Sequence, residues 1–178
     1  HQHLPIFHSS HCLYARYLSK GDSYQDCGHV CERHKIHLQD ENGQDHLVLA
    51  DMGCRNTVFN AQAQSGADTL AAWLEEGISR YRIEFVDEGS ESVRNVLGAY
   101  SKLFEARGLA PEPLWSLLSG VEDSNGHAQG ASVGSLRSEK ERKAGKGRKT
   151  TGQRRSHKVV VRRGSDAKTP ARKKAKSR

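Results

Sequence analysis

Aromatic residues make up only 6% of this 178-residue chain, with one methionine, two tryptophans and four prolines. So little ring area limits the core to a modest size and leaves it mainly to aliphatic side chains. No apolar run approaches the ~20 residues that a bilayer-crossing helix needs, and no secretory signal pattern is present. Neither H-E-x-x-H nor G-x-S-x-G occurs, which removes the sequence basis for a zinc metallopeptidase or an esterase-type serine nucleophile. There are no internal repeats. Trp115 is the last aromatic residue, so the final third of the chain has no ring on which a base could stack.

Cysteine is scarce, and its placement is uneven. Cys12, Cys27, Cys31 and Cys54 all fall in the first third, spaced C-x14-C-x3-C-x22-C. His3, His8, His11, His29, His34, His37 and His46 crowd the same region. Thiolates and imidazoles at this density are metal ligands more often than packing residues. Four thiolates suit either an iron–sulfur cluster or a closed tetrahedral zinc site, and the spacing leaves both open beside a third reading, unligated buried thiols. Zinc knuckles use shorter gaps, and only the Cys27/Cys31 pair meets that criterion. Four cysteines without a secretory signal favour a reducing compartment and metal binding over disulfides.

Charge divides the chain sharply. Residues 1–120 carry 10 Lys+Arg against 16 Asp+Glu, a net of −6, whereas residues 121–178 carry 18 against 5, a net of +13. From Glu122 onward the composition is Gly, Ser, Lys, Arg and Ala, broken only by Val159-Val160-Val161. Three valines cannot repay the entropy of ordering such a segment. The expectation is an acidic folded body over 1–120 followed by a disordered basic tail over 121–178 that neutralises phosphates and does not read bases.

The body reads as mixed α/β. Leu4–Phe7 suits a buried strand. Lys35–Asp40 and His46–Asp51 alternate, with Ile36, Leu38, Leu47 and Leu49 assigned to the buried phase and His37 and His46 to solvent. Glu41-Asn42-Gly43-Gln44 between them carries the Asn-Gly turn signal of a β-hairpin. Asp68–Glu76 is expected to be a helix stopped by Gly77. Tyr81, Ile83 and Phe85 alternate as in a strand. Val93, Val96, Leu97, Tyr100, Leu103 and Phe104 mark an amphipathic helix, and Leu114–Leu118 a short final one. Helix–strand–helix over 68–106 is the pattern of one turn of a (β/α) barrel. A complete barrel needs about 250 residues, so the body is expected to be the C-terminal portion of such a barrel, with the hairpin as an insertion and the N-terminal part missing.

These segments together resemble the collagenase-like peptidase family U32. The resemblance is carried by Phe7-His8-Ser9-Ser10-His11-Cys12, by Asp26-Cys27-Gly28-His29-Val30-Cys31-Glu32-Arg33-His34 and by Ala50-Asp51-Met52-Gly53-Cys54-Arg55-Asn56-Thr57-Val58-Phe59-Asn60. The last of these continues into Ala61–Gly66, and Tyr81–Phe85 completes the set. It spans roughly residues 4–118, with patches near 124 and 134 similar to plant and cyanobacterial members. It implies a 4Fe-4S cluster on Cys12, Cys27, Cys31 and Cys54. The implied activity is oxygen-independent hydroxylation of a base in tRNA or rRNA, with prephenate as co-substrate. A peptidase, as the family name says, is one alternative, and a non-catalytic metal-stabilised RNA-binding protein is another. The implied location is the cytoplasm, or the plastid stroma in a plant or alga.

Beside the cysteines, Asp51, Arg55 and Asn56 flank Cys54 at a strand end, where α/β barrels place chemistry. Arg55 has the fork to clamp a carboxylate or phosphate, or it forms a salt bridge that orders its loop. His11 and His29 are candidates for hydrogen bonding behind the ligands. Arg82 and Glu84 share a strand face, and an internal ion pair explains them as well as catalysis does.

Overall fold

A computed structural model of the protein describes residues 1–123, 126–136 and 158–163. Seven strands are present: β1 (Pro5–Ser9), β2 (His34–Gln39), β3 (Asp45–Ala50), β4 (Asn56–Phe59), β5 (Ala63–Gln64), β6 (Ala131–Ser132) and β7 (Lys158–Arg163). The helices are α1 (Leu13–Leu18), α2 (Leu70–Glu75), α3 (Ser90–Glu105) and α4 (Glu112–Ser119). The fold is mixed α/β, as expected, and no helix among the described residues is long and apolar enough to cross a membrane.

Five strands form one sheet in the order β1-β4-β3-β2-β7, with every neighbouring pair antiparallel. The hairpin of β2 and β3 turns where Asn-Gly indicated. Gly43 takes φ 78°, and the Asp40 carboxylate accepts the amides of Asn42 and Gln44, both at 2.8 Å. That local hydrogen bonding is what makes Asx residues turn formers.

Two apolar cores flank the hairpin's register. On one sheet face Ile36, Val48 and Val58 pack on Tyr14 of α1, with Leu13, Leu18, Leu38 and Ala50 around them. The Tyr14 hydroxyl donates to the Val48 carbonyl at 2.6 Å. The second core lies among the helices, where Leu70, Val96, Tyr100, Leu103, Leu114 and Leu118 are buried and Tyr81, Ile83 and Phe85 pack against them. Gly108, at φ 76°, closes α3 onto α2; a Cβ there would stand 2.4 Å from the Ala71 nitrogen. Only glycine fits both the left-handed conformation and the contact.

Four expectations change. The pairing of Ile36 with Val48 and of His37 with Leu47 puts Leu47 on the face opposite Ile36, and His37 is 1% exposed instead of facing solvent. The alternation misled because the sheet is covered on both faces, by α1 on one side and by residues 86–88, 121–123 and 127–131 on the other. Leu4–Phe7 is not a buried strand: β1 lies at the sheet edge, leaving Ile6 and Phe7 50% and 44% exposed. Residues 81–85 belong to no ladder; their backbone meets His1, the Glu84 N–H donating to the His1 carbonyl at 2.9 Å and the His1 amino group donating to the Arg82 carbonyl at 3.4 Å. The described residues therefore show helices beside an antiparallel sheet, and a (β/α) barrel is not among them. Lastly, Lys158–Arg163 of the expected disordered tail pairs with β2 as an edge strand. Residues 121–123 and 126–136 of that tail are also placed on the body, with Val121 against the helical core and β6 paired with β5, and the remainder of the expectation, over 124–125, 137–157 and 164–178, lies outside the described residues.

Ile36→Ala should cost about 2–5 kcal/mol, since its side chain is wholly buried and removal leaves a cavity. Leu97, placed on the apolar face by spacing but 46% exposed, should tolerate alanine within about 1 kcal/mol. Chemical denaturation of the two variants measures both.

Candidate metal centre

The antiparallel register brings the four cysteine segments to one end of the sheet. Ser9, the last residue of β1, pairs with Asn56, the first of β4, and Ala50, the last of β3, also pairs with Asn56. Because β2 runs antiparallel to β3, it begins at this same end with His34. Cys12 lies just past β1, Cys54 just before β4, and Cys27 and Cys31 just before β2. All four are free thiols.

Each segment is held by its own bonds. Cys12 is the N-cap of α1, its sulfur accepting the Ala15 amide at 3.5 Å. The loop 23–27 is closed by Asp26, whose carboxylate takes the Ser23 amide at 2.8 Å and hydroxyl at 2.7 Å; those bonds hold its carboxyl below the usual range. Gly21 packs directly on this loop, where a Cβ would stand 2.4 Å from the Asp26 carbonyl. Cys31 lies in the 3-10 turn Val30–Glu32, and Arg33 ties that turn back to the Gly28 carbonyl at 2.9 Å. Cys54 sits at φ 61° in the β3–β4 loop, closed by the Asp51 amide on the Arg55 carbonyl at 2.9 Å.

Asn56 joins two of these segments. It is 0% exposed, and its side-chain carbonyl accepts the Leu13 amide, fastening the Cys12 segment to the strand that follows Cys54. Asp51 and Arg55 form a solvent-exposed pair at 3.3 Å, the loop-ordering salt bridge, of a kind that adds at most about 1 kcal/mol. His29 bonds Glu32 at 3.2 Å and packs against Tyr24 with ring centroids 4.5 Å apart, while His11 bonds through its backbone to Ser9; among the described residues neither ring is seen to hydrogen-bond a thiol. Arg82 and Glu84 form the ion pair, at 3.1 Å.

Burial, and then the neighbouring Cys12, push the Cys31 thiol up, with Cys27 adding to the effect. Cys31 thus lies within reach of the charge that Cys12 and Cys27 would carry as thiolates, a repulsion that a bound cation would relieve. Burial also pushes the Tyr14 phenol up to about 12, keeping it protonated beneath this site. Among the described residues, no three His, Cys, Asp or Glu side chains converge closely enough to hold a metal ion. Four thiols are the donor set that a thiolate-bound metal requires, and they share one end of the sheet, but their side chains are not drawn onto a common point.

A second polar group escaped the sequence reading. His3 bridges the Asn60 carbonyl at 2.8 Å and Glu88 at 3.1 Å. Glu88, its side chain 5% exposed, also accepts the Val86 and Asp87 amides at 2.7 and 3.0 Å. Nearby, His37 approaches Asp123 at 3.8 Å, and Gln129 brackets the Asp45 backbone at 2.8 and 2.7 Å. The sequence held no signal for it: Lys35, His37 and Gln39 share one face of β2, a polar row that reads as a solvated face.

No protein-family model matches the chain, and no curated protein or solved structure matches it.

The His3–Glu88 pair makes stability depend on pH. Burial opposes the charge on His3, but the Glu88 hydrogen bond and the Asn60 carbonyl outweigh it and raise the pKa above 6.5. Burial likewise opposes ionised Glu88, yet His3 and the backbone amides lower it below 4.5. The raised imidazole contributes fully below pH 6.5 and is lost as pH rises through its folded pKa. The lowered carboxyl contributes fully above pH 4.5 and is lost as pH falls through its folded pKa. The pair should therefore stabilise most between 4.5 and 6.5, and His3→Gln should flatten the fall in melting temperature above that window.

Proposed function

We propose that the chain is the four-thiolate part of an iron–sulfur protein that hydroxylates a base of tRNA or rRNA without molecular oxygen. The observation that carries this is the gathering of Cys12, Cys27, Cys31 and Cys54 at one end of the sheet, with no disulfide between them. A reading as unligated thiols gives no reason for the β1–β2 connection and the β3–β4 loop to bring all four to the same end of the sheet. The resemblance to the U32 peptidase family supplies the activity, the 4Fe-4S cluster on these four residues, prephenate as co-substrate and the RNA substrate.

When bound, the cluster would supply electron transfer at this end of the sheet. The chain's own part is to hold and orient. Asp51 and Arg55, both solvent-exposed beside Cys54, can exchange their mutual pairing for a substrate anion on the Arg55 fork. Asn56 keeps the loops in register. The extended run Tyr81–Phe85 would be the strand through which the body belongs to the C-terminal portion of a (β/α) barrel, completed by another part of the protein. The surplus of Lys and Arg beyond residue 121 would raise affinity for RNA of any sequence.

Protein purified without oxygen should be brown, with iron and sulfide in equal amounts, and each Cys→Ser change should bleach it. One zinc per chain in a colourless preparation would contradict the cluster. A strain lacking the protein should lose one hydroxylated nucleoside; an unchanged nucleoside profile with altered peptide turnover would favour the peptidase.

A further inference from the structure

A cleft of about 430 Å3 opens between α2 and the extended segment that follows it, within the roughly 300–1,000 Å3 range of small-molecule sites. Four aromatic rings line it, those of Trp73, Tyr81, Tyr100 and Phe104. Tyr81 packs against Phe104 with centroids 4.9 Å apart and against Trp73 at 6.4 Å. Tyr81 and Trp73 are fixed before anything binds. The Tyr81 hydroxyl donates to the Ile78 carbonyl at 2.7 Å. Trp73 lies so close over Gly66 that a Cβ there would stand 2.6 Å from its ring carbons. Fixed rings lose little entropy on binding a planar ligand.

The charge around this cleft runs against that of the body. Residues 1–120 carry a net of −6, yet the lining contains no Asp or Glu and includes Arg80 and Arg82. Arg82 is engaged with Glu84. Arg80 is exposed and forms no ion pair among the described residues. Aromatic faces beside an unpaired guanidinium suit a flat ring that carries an anion on a short tether.

We propose that this cleft binds a nucleobase of single-stranded RNA by stacking on Trp73 and Tyr81, with Arg80 holding the adjoining phosphate. The choice of RNA rests on the function proposed above; the stacking chemistry does not. The site lies apart from the cysteine end of the sheet, and it gives the body a base-contacting surface that the aromatic-free residues beyond 121 lack.

Full-length protein titrated with a single-stranded oligouridylate hexamer tests this through tryptophan emission, with anisotropy of a labelled hexamer reporting total binding. Quenching is expected, and Trp73→Phe should identify its source by removing most of it. Trp73→Ala should weaken hexamer binding about tenfold, the usual loss for one stacked base. Arg80→Ala, an exposed change that leaves the core intact, should weaken it about tenfold and lower the salt slope by about one charge. A duplex of the same length should not quench. Cys54→Ser protein, lacking any cluster, should bind and quench as wild type does, so failure of the cluster and failure of the cleft are read separately. The proposal is overturned if the hexamer binds without quenching, if both variants bind as wild type does, or if a Glu/Tyr peptide quenches and the hexamer does not.

Discussion

Asn56 is the first residue of β4, has no exposed surface, and accepts the Leu13 amide with its side-chain carbonyl. It also pairs across the sheet with Ser9 on one side and Ala50 on the other. A buried hydrogen-bonded amide of this kind is hard to shift, because moving it leaves polar atoms unpaired at about 1–3 kcal/mol each. A one-residue slip in an antiparallel pair would also turn the side chains of that strand to the opposite face. The placement of the Cys12, Cys31 and Cys54 segments follows from this register. The sheet is a frame whose one end presents thiols.

The two faces of that frame do different work. The face under α1 is apolar, and its burial of Tyr14, Ile36, Val48 and Val58 supplies the driving force that holds the cysteine loops to the sheet. The other face carries His37 and Asp45, matched by Asp123 and Gln129 from a later stretch of chain, with the His3–Glu88 pair beside them. Polar groups buried in this way add little net stability, yet they discriminate against wrong pairings because a misplaced partner leaves them unsatisfied. They fix the sheet to the helical layer and so to the cleft beside Trp73.

Local chemistry was legible in the sequence where it acts alone. The Asn42-Gly43 turn, the stop at Gly77, and the helices around Val96 and Leu114 all lie where spacing and turn residues put them. The Asp51–Arg55 and Arg82–Glu84 pairs were legible for the same reason. Features set by tertiary cover were not. The phase of β3 could not be read from alternation because both faces are buried, and β1 looked like a core strand although it is an edge. Helix α1 has six residues, too few to show a period. The cysteine spacing named the donors without showing that their loops share an end, which depends on strand register. Asn56 looked like a site residue by its neighbours, and its observed bond is to the backbone that follows Cys12.

The central claim is that the four thiols form one site, and differential alkylation tests it most directly. Anaerobically purified protein would be treated with one thiol reagent, stripped of metal, then treated with a second, and each cysteine scored by mass spectrometry. The account predicts that Cys12, Cys27, Cys31 and Cys54 are protected together and released together. Free reaction of Cys54 in the first step, while the other three stay protected, would contradict it.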